Sequence, residues 1–183
     1  MKILKKYPEA LFLLKVLLLY CIFNYGSQAW IGITAKGGFY SQFADDYLNY
    51  IVWLRYSILK GADIVCSIFG YDVIIIGTKI IRFNQGLGVS MVYSCIGIAI
   101  FSSWAAFIIA YPSELKRKLK WLFSGLLAIW FINVLRISIL LFILNLTKKS
   151  NNFEFHHEVF NAVAYGLVII LIYFYLKGDK KKV

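Results

Sequence analysis

The stretch Val89–Pro112, VSMVYSCIGIAIFSSWAAFIIAYP, decides how this chain is read. It is a hydrophobic segment with Ser90, Ser94, Cys95 and Gly97 at one end, and a strongly basic run, Lys116-Arg117-Lys118-Leu119-Lys120, just past the other. Apolar length of this kind predicts a helix crossing a bilayer, here over Ser90–Tyr111. The basic flank belongs on the cytoplasmic side, which leaves Cys95 near the outer end.

Composition supports the membrane reading. Of 183 residues 61% are hydrophobic and 18% aromatic, with a mean hydropathy of +0.72, far above a soluble domain of this length. One membrane domain, 1–183, is expected. The net charge of +11 does not point to nucleic acid, because most Lys and Arg fall in short clusters beside apolar runs. Such clusters are cytoplasmic flanks, and membrane lipid is the partner they imply. Cys21, Cys66 and Cys95 are too few and too unevenly spaced to read as a disulfide framework.

Outward from the central stretch, Lys2, Lys5 and Lys6 precede an apolar run from Ala10 to Tyr25, which predicts a first span starting in the cytoplasm. Lys15 lies near its inner end and can snorkel back to the interface. A signal peptide cut near Ser27-Gln28-Ala29 is the rival reading. Residues 26–90 are expected to form an outer cap. Within it, Phe39 to Leu59 has helical periodicity with Asp45, Asp46 and Arg55 included, which suits an interfacial helix. Asp72 to Ile81 reads as a strand, Arg82 to Gly86 as a turn, and Leu87 to Met91 as a possible partner strand.

After the basic run come spans at Trp121–Leu146 and about Phe155–Leu176, followed by Lys177-Gly178-Asp179-Lys180-Lys181-Lys182. Both basic runs belong inside, so Thr147 to Glu154 belongs outside. Parity then requires an even number of crossings in 26–90, and zero is favoured because Arg55, Lys60 and Asp63 would be costly in hydrocarbon. The fold expected is an all-α polytopic membrane protein with about four transmembrane helices, an outer interfacial helix and a small strand-like cap. Residues 90–176 carry the chemistry.

Three segments offer polar residues to one site. At about 1.5 Å per residue, Cys95 lies about 24 Å from Tyr111 and Arg136 about 22 Å from Trp121, so the two share a depth. His157 sits just above them. Ser102 and Ser103 are expected on the Cys95 face of its helix, Asn133 shares a face with Arg136, and His157, Asn161 and Tyr165 recur every four residues. Polar stripes in apolar helices normally face a bundle interior. A lone membrane cysteine is often just a small packing residue. A buried guanidinium is another matter, costing several kcal/mol unless paired or hydrated. His156 and His157 point roughly 100° apart on a helix, which is poor geometry for one metal ion, and no metal site is expected.

The pattern Cys95-Ile96-Gly97, then Asn133-x-x-Arg136, then His157-Glu158 resembles the exosortase/archaeosortase family of membrane-embedded cysteine transpeptidases, over roughly Asp72 to Leu176. Ile96 departs from the Ser usual there, and the chain is short for the family. The resemblance implies a catalytic Cys95, Arg136 and His157, with the doubled histidine leaving His156 as the alternative acid/base; Asn133, His156 and Asn161 are the substrate-binding candidates. It implies a substrate class too, exported proteins ending in a short motif, a helix and a basic tail. The expected reaction runs through a thioester acyl-enzyme without a cofactor, at an outward-facing site in the inner, cytoplasmic membrane. The competing reading is a non-catalytic membrane subunit or scaffold of an envelope-polysaccharide or secretion system.

Overall fold

The computed structural model describes residues 8–37, 39–84, 86–147 and 153–178, and only the backbone of residues 8, 147 and 153–161. It is mostly helical, with one small sheet: α1 (Pro8–Thr34), α2 (Gln42–Leu48), α3 (Tyr50–Ile68), β1 (Val73–Ile76), β2 (Ile80–Phe83), β3 (Gly88–Ser90), a 3₁₀ turn (Tyr93–Ile96), α4 (Ile98–Ala110), α5 (Leu115–Thr147) and α6 (Phe153–Lys177). Two helical stretches, Glu9–Thr34 and Leu115–Leu146, are long and apolar enough to cross a membrane, and Ile98–Ala110 and Ala162–Lys177 are shorter apolar helices. Among the described residues, two of the four spans expected from the sequence meet that test, and the expected span at Phe155–Leu176 falls within the 25-residue α6.

The stretch Ser90–Tyr111 is not one helix, contrary to the expectation. Its first residues finish a sheet and make a 3₁₀ turn, and Gly97 at φ 80° and ψ 27° breaks the path before α4 begins. At the other end Pro112 disfavours helical geometry for Tyr111, so α4 has only 13 residues. Ser102 and Ser103 thus lie on a different helix from Cys95's turn, and the shared-face argument for them fails. The basic run after Pro112 is itself helical, because Lys and Arg are good helix formers and α5 starts at Leu115.

Contacts divide the chain into two compact units. The first comprises 1–49, 98–127 and 174–183. In it α1 packs along α4, with Phe12 edge-on to Phe107 and Tyr111 at 5.8 and 6.1 Å. Trp104 is fully buried and donates from Nε1 to the Leu122 carbonyl at 3.3 Å. Basic side chains satisfy carbonyls at two helix C-termini, Lys118 Nζ at Ile109 (2.9 Å) and Arg117 Nη2 at Tyr175. That is the end of a helix where cations are favourable. Two members of the basic cluster therefore cap helices.

The second unit comprises 50–97 and 128–173. Helix α3 buries a stripe made of Ile51, Arg55, Ile58, Leu59, Ala62 and Cys66. It lies close against α5 at Gly61, where a Cβ would stand 2.6 Å from Val134 Cγ2 and 3.2 Å from Trp130. Trp130 Nε1 donates to Ser57 Oγ at 3.0 Å beside that contact. The interfacial helix expected over Phe39–Leu59 is in fact two helices, and the second buries one face in protein. The strand expected over Asp72–Ile81 is two antiparallel strands turning at Gly77-Thr78-Lys79, and β3 pairs with β2 in the register Ile81↔Val89.

Candidate functional site

Cys95 is delivered by the sheet. β3 ends at Ser90, and the next amide, Met91 N–H, donates to the Lys79 carbonyl at 2.7 Å, which ties the outgoing chain to the hairpin turn. Val92 then opens the 3₁₀ turn in extended geometry, and Cys95 N–H donates back to the Val92 carbonyl at 2.9 Å. Gly97 closes the turn in the left-handed region, where an L residue with a side chain is strained. Cys95 is half-buried, whereas Cys66 is fully buried.

Helix α5 brings two polar side chains to this turn. Asn133 is buried, and its Nδ2 donates to the carbonyls of Ile96 (3.3 Å) and Ile129 (3.2 Å). One bond holds the end of the turn and the other holds Asn133 to its own helix. Arg136, 4% exposed and one helical step on, donates from Nη2 to Cys95 Sγ at 3.8 Å. Its Nε is buried without a partner, and it forms no ion pair among the described residues. A guanidinium is always charged, so the half-buried sulfur faces a positive group that donates to it.

Within one unit the structure brings Arg136 to Cys95 and Asn133 to the neighbouring Ile96. His156, His157 and Asn161 belong to α6, but their side chains lie outside the described residues. Among the described residues no group of three or more His, Cys, Asp or Glu is arranged to hold a metal ion.

Sequence reasoning missed a second buried cation, Arg55, 2% exposed. Its Nη2 donates to Thr78 Oγ1 at 3.0 Å, and its Cζ lies 5.2 Å from the centre of the Tyr93 ring, two residues before Cys95. In the sequence it counts only as a charge against a crossing within residues 26–90. A signal was present, however, since the spacing Ile51, Arg55, Ile58, Ala62, Cys66 puts the arginine inside the apolar stripe.

Comparison with family models matches residues 6–174 to one described as transmembrane exosortase (Exosortase_EpsH). No curated protein and no solved structure matches the chain.

Proposed function

The chain belongs to the transmembrane exosortase family, and from that premise we propose that it is a membrane-embedded cysteine peptidase or transpeptidase acting on the C-terminal sorting signals of exported proteins. The observation that carries the assignment of residues is the Arg136 Nη2 to Cys95 Sγ contact at 3.8 Å, on a turn braced by Asn133.

In the proposed reaction the Cys95 thiolate attacks the scissile carbonyl carbon. A C–S bond forms, and the carbonyl oxygen takes the negative charge. With that charge moved from sulfur to oxygen, the Arg136 donors are free to follow it, and stabilising such an oxyanion in a dry site is where positioned donors are strongest. Collapse breaks the C–N bond, and the leaving amine takes a proton from His157 acting as general acid. A water molecule, or an amine of a lipid or glycan acceptor, then attacks the thioester with His157 as base, and the thiol is regenerated. The residues suffice for this chemistry without a cofactor. Asn133 holds the turn, and His156 and Asn161 are the further substrate-binding candidates.

The site is proposed to face outward from the inner membrane in a multi-pass chain, with basic clusters inside. The test is co-expression with an exported reporter ending in a short motif, a helix and a basic tail. Mass spectrometry should find the reporter's N-terminal product as a thioester on Cys95, and Cys95→Ala should accumulate uncut reporter at a normal enzyme level. Full processing by Cys95→Ala would overturn the assignment in favour of a scaffold.

A further inference from the structure

We propose that Arg55 is a positioning residue for Cys95, clamping the β1–β2 turn to the 3₁₀ turn and adding a second positive charge to the nucleophile's surroundings. The proposal rests on Cys95 being the nucleophile.

Burying a guanidinium without an anion is costly, and a purely packing role on the α3 stripe would be filled better by an apolar side chain of similar volume. Yet Arg55 sits at 2% exposure, its Nε is buried without a partner, and among the described residues no carboxylate pairs with it. What it does touch is specific. One donor reaches Thr78 at the tip of the β1–β2 turn, and its Cζ lies over the Tyr93 ring at cation–π distance, 5.2 Å from the centroid. These are the two ends of the segment that sets Cys95. Thr78 neighbours Lys79, whose carbonyl receives the Met91 amide, and Tyr93 opens the turn that carries the thiol. One arginine therefore spans the start and finish of the β2–β3 path, on the side of the turn that Asn133 does not hold.

The charge matters as well. Arg136 already donates to the sulfur, and with Arg55 the unit contains two buried cations with no ion pair among the described residues. Both raise the local potential at a developing thiolate, in surroundings where screening is weak.

The test uses the full chain in membranes with Cys21→Ser and Cys66→Ala, so that Cys95 is the sole thiol. Two rates are measured, alkylation by neutral iodoacetamide and by anionic iodoacetate. The ratio of the iodoacetate rate to the iodoacetamide rate largely cancels exposure and intrinsic thiol chemistry and reports positive charge at the sulfur. Arg55→Gln is expected to lower that ratio about two- to tenfold, as loss of one nearby unit charge requires. Thr78→Val and Tyr93→Leu keep the charge but loosen the clamp. They should slow alkylation by both reagents about three- to tenfold, the size of one lost polar contact, and Tyr93→Phe should restore what Tyr93→Leu loses. An unchanged ratio in Arg55→Gln inserted at the parental level would overturn the charge role. If Arg55→Gln does not accumulate, parental rates in both Thr78→Val and Tyr93→Leu overturn the clamp. No substrate is needed, so failure here is distinct from failure of the peptidase reading, which the thioester experiment decides.

Discussion

Arg136 meets Cys95 through Nη2 while its buried Nε has no partner, so the side chain is only partly used in the resting site. A structural ion pair would tolerate any cation, because a point charge still neutralises its counter-ion. A clamp on a carbonyl oxygen or oxyanion needs the planar fork, which lysine lacks. Arg136→Lys is therefore expected to insert and accumulate normally but to process a reporter at least about 10²-fold more slowly, the usual loss when one oxyanion donor goes. Rate and protein level measured in the same membranes check this, and near-normal turnover would count against the role. The fully buried cysteine is a contrast. Cys66 lies on α3, outside the two long spans, and burial, helped by nearby Asp63, pushes its thiol above the ordinary range. It stays protonated at neutral pH, so Cys66→Ala should leave processing intact, and native Cys66 should alkylate far more slowly than after detergent denaturation.

At the scale of elements, the site depends on a short break between strand and helix. Gly97 has φ 80°, and a Cβ there would stand 3.1 Å from Asn133 Nδ2. Gly97→Ala thus meets two penalties, the left-handed backbone, roughly 1–2 kcal/mol, and displacement of the amide that braces Ile96. Only the second depends on Asn133. The double variant Gly97→Ala/Asn133→Ala should then lose less Cys95 alkylation rate than the two singles combined, whereas strict additivity would show that the amide and glycine do not share a contact. This break was also what hydropathy could not reveal. An apolar run from Val89 to Tyr111 looks continuous whether or not one glycine inside it turns left-handed. The β-branched residues 73–76 announced a strand, but the turn at Gly77-Thr78-Lys79 was hidden inside what reads as one longer strand. By contrast, that Asn133 and Arg136 share a buried face is legible, because a long periodic helix fixes an i, i+3 pair to one face whatever surrounds it. Arg55 was misread because a charge in an apolar stretch suggests topology before it suggests a buried donor.

For the whole molecule, side-chain distribution and charge distribution lead to the same orientation argument. Leu13, Leu14, Leu17, Leu18 and Ile22 of α1 are exposed, as are Leu119, Phe123, Leu127 and Phe131 of α5, while Asn133, Arg136 and Ser138 are buried. Apolar outside and polar inside is the pattern of helices solvated by lipid. Within that lipid, the proposed sidedness rests on Lys116, Arg117, Lys118 and Lys120 at the start of α5, a cluster of the kind the positive-inside rule assigns to the cytoplasm. If α5 spans from there, Arg136 is carried about 30 Å along the axis from Lys116, to the outer part of the membrane where an exported substrate can reach it. Two exposed positions test the orientation, Leu115 beside the basic cluster and Ile68 at the end of α3. In a background with Cys21→Ser, Cys66→Ala and Cys95→Ala, an impermeant maleimide applied to cells with the outer membrane permeabilised should label Ile68→Cys. Leu115→Cys should react only after the inner membrane is opened. Labelling of Leu115→Cys before that step would invert the chain, put the Arg136 end of α5 in the cytoplasm, and remove exported proteins from the substrates this site could reach.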